Sequence, residues 1–373
     1  MASIRKRVAG RFQVRWWDGG VQRSRTFPAY RDAQAFRATV EVELARGDWV
    51  DPRQSRAPLR EITQRWLESQ QALAPTTYAN IAGRLRNHLL PALGERPLSS
   101  LRPSDVEAWV AGLSASDLGA GTVRKCYQDL DQITQAAVRD GLLRQSPCVG
   151  IKLPTEVHER EMHFLSHEQV ASLAQAIAPR YRALIYTAAY AGLRAGELAG
   201  LKVARVDFLA RRLHVVASVS EVKGGLVTGP PKTKARRWVR VPAFLADQLA
   251  GHVQTYPSRH GYVFTSPTGR PLRHRNFYRR DFRAAVQASG LPPDLRFHDL
   301  RHSCAAILIS EGWTLEQLKR HLGHSTIRVT SDRYSHLYAG HDDVLLDRLD
   351  ARVRAMSEPR SGSVTTLPTA GAG

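Results

Sequence analysis

The clearest periodic stretch of the chain runs through Val123, Cys126, Tyr127, Leu130, Ile133, Thr134, Ala137 and Val138, which recur at helical spacing until Gly141. Leu59, Ile62 and Trp66 predict an earlier helix, and Tyr78, Ile81, Leu85 and Leu89 predict another that starts near Pro75-Thr76. Ser104 to Glu107 has the form of a capping box and predicts one more. Together these make residues 58–150 a compact four-helix domain. Upstream the period drops to two. Phe12, Val14 and Trp16 alternate with Arg11, Gln13 and Arg15, the turn formers Asp18-Gly19-Gly20 follow, and a second strand is expected from Val21 to Phe27. Asp32 is placed to cap a helix that carries Phe36, Val40 and Leu44 and stops at Gly47. Residues 1–55 therefore read as a three-stranded sheet backed by one helix, with a basic face, and the polar run 51–57 as a linker.

Beyond Pro154 helices and strands mix. Ser166 and Gln169 form a capping box, helices continue to Tyr190, and Gly192 breaks the chain into a turn that presents Arg194. Strands are expected at Arg212–Val216 and Arg237–Val241, separated by a loop holding Gly224, Gly225 and Gly229. A helix follows from Pro242 to Val253. Another opens within Arg273–Arg283, with Tyr278, Phe282, Ala285 and Val286 on its apolar side. The fold class is multidomain and mainly α with small β-sheets (α+β), the third domain being a mixed α/β unit over 155–350. Residues 357–373 are small and polar and predict a disordered tail.

Composition narrows the partner. The 54 Lys+Arg against 34 Asp+Glu give a net charge of +20, which favours a polyanion and salt-dependent binding. Part of the excess reflects a preference for Arg codons, since only eight of the basic residues are Lys. No apolar run approaches the roughly 18 residues of a membrane span, and Met1 to Arg7 lacks a signal-peptide core, so a cytoplasmic protein is expected. Cys126, Cys148 and Cys304 have no metal-ligand spacing and read as buried thiols.

The candidate chemistry lies late in the chain. Gly192-Leu193-Arg194-Ala195-Gly196-Glu197-Leu198 is followed by His298-Asp299-Leu300-Arg301-His302, then Leu322-Gly323-His324, then Tyr334. Two arginines, two histidines and a tyrosine suit a phosphodiester exchange without a metal: cations for the phosphorane charge, proton carriers and a phenolic nucleophile. His298 and Arg301 are three residues apart and share a helix face. His298 and His302 also have the spacing of a metal pair, but no third ligand follows and Arg301 between them repels a cation, so no metal is expected. Pro231-Lys232-Thr233-Lys234 lacks the glycine of a phosphate-binding P-loop.

With these residues in this order, the chain resembles the tyrosine recombinases and, within them, the phage-type integrases, strongly over about 160–340 and in organisation before that. The resemblance implies site-specific DNA cutting and rejoining through a 3′-phosphotyrosine, with no cofactor. It makes Arg194, Arg301 and His324 the holders of the scissile phosphate, Glu197 a neighbour that orients Arg194, His298 an aid to proton transfer from the phenol, and Tyr334 the nucleophile, with Tyr338 as its rival. Lys232, or alternatively Lys234, becomes the acid for the leaving 5′ oxygen, a role that an ammonium can fill and a guanidinium cannot. Residues 1–55 correspond to an arm-type DNA-binding domain using Arg11, Arg15, Arg23 and Arg25. Residues 58–150 correspond to a SAM-like core-binding domain, with Arg84, Arg86, Arg124 and Lys125 as phosphate contacts, and Arg279, Arg280 and Arg283 are further DNA contacts. The implied partners are duplex DNA at attachment sites, a homotetramer on that DNA, in which a helix near 341–354 docks on a neighbour, and a directionality factor or DNA-bending host protein. A type IB topoisomerase and a non-catalytic DNA-binding regulator are the competing classes.

Overall fold

The computed structural model describes residues 2–7, 10–18, 20–46, 56–155, 162–222, 225–232, 236–338 and 341–357. They fall into two compact units, residues 1–159 and 160–373. In the first, β1 (Ser3–Lys6), β2 (Phe12–Asp18) and β3 (Val21–Phe27) form an antiparallel sheet in that order. Val14 and Trp16 are buried against Ala33 and Val40 of α1 (Tyr30–Arg46), as the alternation predicts. The helix starts two residues before Asp32, which sits in the first turn instead of capping it; there its carboxylate still faces the positive end of the helix dipole.

The register corrects the expected basic face. Arg23 pairs across from Trp16 and Arg25 from Val14, so both lie on the side turned to α1. Arg25 covers the rings of Phe27 and Phe36 at 5.2 and 5.0 Å. The open face instead carries Arg15 and, opposite Gln13, Arg5, while Arg11 is exposed just before β2. The expected linker falls largely outside the described residues.

A second core in this unit joins α2 (Leu59–Ser69), α3 (Pro75–Arg84), α4 (Leu90–Leu93), α5 (Pro103–Ser114) and α6 (Ala120–Arg139) through Leu59, Ile62, Leu85, Leu89, Val106, Leu130 and Ile133. The helix expected from Pro75 runs through α3 and α4, with a π turn at Leu85–Leu89 between them. Pro91 has no N–H to return to the preceding turn, and the Leu90 N–H reaches back to Leu85 instead. α5 begins earlier than Ser104: Pro103 takes its first position, and Asp105 accepts from the Arg102 N–H at 2.9 Å.

The second unit opens with α7 (His167–Ala176), capped by Ser166 and Gln169 as expected, then α8 (Pro179–Ala191) and α9 (Ala195–Ala199). β4 (Val206–Asp207), β5 (Arg212–Val215) and β8 (Arg237–Arg240) form a sheet in that order. The glycine-containing loop folds in part as a separate hairpin, β6 (Ser218–Val222) with β7 (Gly225–Gly229). After α10 (Ala243–Thr255), the short α11 (His274–Phe277) continues through a π turn into α12 (Arg283–Ala288). Every residue from Asp299 to Ala305 of α13 (Asp299–Ser310) is buried, which makes it the central helix, packed on α8. α14 (Leu315–Leu322), α15 (Ile327–Tyr334) and α16 (His341–Ser357) complete the chain. The three cysteines are free and buried. Among the described residues no helix is long and apolar enough to cross a membrane.

Candidate active site

Gly192 ends α8 at φ 63°, and a Cβ there would lie 2.6 Å from Leu322 Cδ2 and 3.0 Å from Cys304 Sγ. Only glycine satisfies both the left-handed backbone and the space. The turn delivers Arg194 to the start of α9. Its N–H donates to Glu197 Oε2 at 3.0 Å, and its guanidinium donates to Glu197 Oε1 at 2.9 Å and to the Gly323 carbonyl at 3.3 Å. Arg301, on α13 and 2% exposed, donates to the carbonyls of Gly192 and Leu322. Burial, and then the charge of Arg194, lower its pKa to about 9, so the guanidinium stays charged at neutral pH. The two carbonyl bonds use one N–H from each terminal nitrogen of Arg301.

Glu197 is the anionic centre of this cluster. Burial pushes its carboxyl up, but the hydrogen bonds and charge of Arg237, with the Arg194 N–H, hold it down at about 2. Arg237 was missed as a functional residue. It grips Glu197 through both terminal nitrogens at 3.0 and 2.8 Å, and its Nε donates to the His321 carbonyl at 3.1 Å. Gly323, at φ 68°, passes so close that a Cβ would meet the Arg237 guanidinium at 2.9 Å. The alternation on β8 shows that Arg237 and Val239 face inward, yet nothing local in the sequence names Glu197 as the partner.

The same turn places His324, whose Nδ1 lies 2.9 Å from Thr330 Oγ1. Burial first, then Arg301 and Arg194, lower its pKa to about 3, so it is neutral near pH 7. Tyr334 follows at the end of α15, fully buried, with its ring parallel to that of His324 at 6.4 Å. Burial pushes its phenol up to about 12 against the pull of Arg301 and Arg333. His302, read from the sequence only as half of a metal pair, places Nδ1 2.8 Å from Tyr334 Oη.

The structure thus brings Arg194, Glu197, Arg301, His324 and Tyr334 together. His298 stands at the exposed start of α13, its ring edge-on to His302 at 5.0 Å. Desolvation, followed by His302 and Arg301, lowers its pKa; its solvent access argues for a smaller depression than at His324. Lys232 is exposed in the turn after β7, with no hydrogen bond to the cluster among the described residues, and Lys234 lies outside them. Tyr338 is committed elsewhere, since its hydroxyl donates to the Trp313 carbonyl at 2.6 Å.

The expected DNA contacts divide. Arg84 is corrected: its guanidinium is bound at 2.7 and 3.0 Å by the buried carboxylate of Asp129, leaving a structural ion pair. Arg124 is half-buried and donates to the Pro154 carbonyl at 3.0 Å. Arg86, Lys125, Arg279, Arg280 and Arg283 are exposed.

Comparison with known proteins decides the family. Residues 163–341 match the phage integrase family, and residues 59–114 match its N-terminal SAM-like domain. A Mycobacterium tuberculosis protein named as a prophage phiRv2 integrase is 31% identical over 354 residues, covering 91% of this chain and 92% of its own. The chain belongs to the phage integrase family. The integrase of Mycobacterium phage FRAT1 is 27% identical over 335 residues, covering 85% of this chain and 97% of its own. Among solved structures, the Tn1549 transposon integrase with transposon right end DNA superposes with a TM-score of 0.68 at 20% identity, covering 79% of this chain and all of that one. This integrase is a tyrosine-type site-specific recombinase of a phage or mobile element.

Proposed function

We propose that this integrase cuts and rejoins duplex DNA through a 3′-phosphotyrosine formed by Tyr334. The observation that carries the reading is the convergence of Arg194, Arg301, His324 and Tyr334, from three separate stretches of sequence, on a single cationic cluster. In it Arg194 and Arg301 hold the non-bridging phosphate oxygens, their positions fixed by main-chain carbonyls and Glu197. His324, with Nδ1 directed to Thr330, turns Nε2 to the phosphate, and His298 stands at the exposed start of α13 beside it.

The Oη–P bond forms as the P–O5′ bond breaks, and Lys232 supplies a proton to O5′. One ester replaces another, so the step needs no ATP, and attack by a partner strand's 5′ hydroxyl forms a new P–O5′ bond as the Oη–P bond breaks. Lys232, exposed after β7, is placed to approach bound DNA. Recombination proceeds in a homotetramer on attachment sites, with a directionality factor or DNA-bending protein selecting integration or excision. The arm domain of residues 1–55 contacts sites apart from the core.

The test is Tyr334→Phe on a nicked suicide substrate. It should bind DNA like the parent and form no covalent adduct; an adduct that persists in Tyr334→Phe and vanishes in Tyr338→Phe would overturn the assignment.

A further inference from the structure

Resting on the reading of Tyr334 as nucleophile, we infer that His302, through Nδ1, takes the phenolic proton of Tyr334 during cleavage and returns it during rejoining. Geometry comes first. Nδ1 is 2.8 Å from Oη, within proton-transfer reach, and both side chains are buried at 4% and 0% exposure, so bulk water does not compete for the hydroxyl. The two other imidazoles of the cluster are placed differently. His324 directs Nδ1 to Thr330 and lies parallel to the phenol ring with 6.4 Å between centroids. His298, the histidine that the sequence pattern points to, sits at the exposed helix start behind His302. His302 also follows Arg301 directly on α13, so proton acceptor and phosphate clamp ride on one rigid turn.

The electrostatics fit the role. The charged groups acting on His302 are Asp299 one turn earlier, Arg301 beside it, Arg296 before the helix and Arg333 on α15. Burial foremost, opposed by Asp299 and joined by Arg333, Arg296 and Arg301, lowers its pKa to about 4, so the ring is neutral and Nδ1 can accept in the Nε2-protonated tautomer. A bound phosphodiester offsets the charge of Arg301, the last of those contributions, and so shifts His302 toward greater basicity while the effect of burial stays. In the forward step the Tyr334 O–H bond breaks, its proton passes to Nδ1, and Oη bonds phosphorus. The electrons of the P–O5′ bond leave on O5′, which Lys232 protonates. Rejoining runs the same transfers backward.

The experiment measures single-turnover covalent adduct formation on a suicide substrate carrying one core site. His302→Asn keeps a hydrogen-bonding group near the position of Nδ1 without its basicity, and His302→Gln is the second variant. DNA binding should hold while adduct formation falls by roughly 10²–10⁴-fold. Replacing Tyr334 in the His302→Asn protein by 3,5-difluorotyrosine, a more acidic phenol, should restore much of the rate. Adduct formation at the parental rate or faster in His302→Asn would show that His302 merely holds Tyr334 in place, and would overturn the proposal. So would a defect that the fluorinated tyrosine does not relieve, or loss of DNA binding in both variants. Tyr334→Phe runs alongside: an adduct there sinks the nucleophile assignment itself, whereas an inactive Phe variant beside a fully active His302→Asn sinks the His302 role alone.

Discussion

Replacing Arg237 by Met should loosen the catalytic unit and disarm it together. The substitution keeps most of the side-chain length but strips Glu197 of its bidentate partner, in a place where the carboxylate is 1% and Arg237 8% exposed. Holding that carboxyl at about 2 instead of its ordinary 4.5 corresponds, at about 1.4 kcal/mol per tenfold, to about 3 kcal/mol of stability. Breaking a buried ion pair by removing one partner costs about 3–5 kcal/mol on general grounds; Glu197 keeps its bonds to Arg194, which favours the lower end. For a unit of this size the loss corresponds to a fall of about 6–12 °C in Tm. The sign with pH follows from the depressed carboxyl: its contribution is complete above about pH 4.5 and is lost as pH falls toward 2. Thermal melts of the full chain from pH 7 to pH 3 should therefore show Arg237→Met already lowered at neutral pH, with a flatter acid limb than the parent. Adduct formation should fall as well, because Arg237 anchors the His321 carbonyl beside the turn that carries Gly323 and His324. A variant melting within about 2 °C of the parent at pH 7, with an unchanged acid limb, would refute this reasoning.

Lys232→Ala should slow cleavage by roughly 10²–10⁴-fold on ordinary DNA, and a 5′-bridging sulfur, whose thiolate leaves unprotonated, should recover much of it; equal slowing on both substrates would reduce Lys232 to a positioning role. Gly192→Ala should cost about 2–4 kcal/mol in denaturant unfolding, from left-handed strain and overpacking against Leu322 and Cys304. It should also impair DNA cleavage by displacing the carbonyl that anchors Arg301. Deleting residues 1–55 should lower the slope of log affinity against log salt by about 0.9 for each phosphate that those residues neutralise, and should spare cleavage at an isolated core site. An unchanged salt slope on full attachment sites would make those residues a structural appendage.

The periodic helices and the alternating β2 were legible because each buries one face of a local repeat. Arg194, Glu197, Arg301, His324 and Tyr334 could be singled out because their order resembles that of the tyrosine recombinases, and the fold brings them into one cluster. What escaped depends on pairing across distance. Arg84 looks like a free cation until Asp129, 45 residues on, is brought to it. Arg23 and Arg25 read as part of one basic face until the β2–β3 register sets them opposite Trp16 and Val14. Arg237 is one of two arginines in a four-residue strand, and only the fold shows that it meets Glu197 while Arg240 stays exposed. His302 was hidden by its neighbours, since its place beside Arg301 gives no hint that Tyr334, 32 residues later, ends with its hydroxyl on Nδ1.

Two guanidiniums, those of Arg194 and Arg237, bond the carboxylate of Glu197, and a third, that of Arg301, feels its charge. The resting molecule therefore keeps like charges packed in a mostly buried cluster, an arrangement that favours unfolding when nothing negative fills it. On the proposed role of Arg194 and Arg301 as phosphate clamps, a phosphodiester would add negative charge to this cluster, and the DNA backbone would act as a stabilising counterion as well as the substrate. Resistance to heat and proteolysis should then be a property of the protein–DNA complex more than of the free chain.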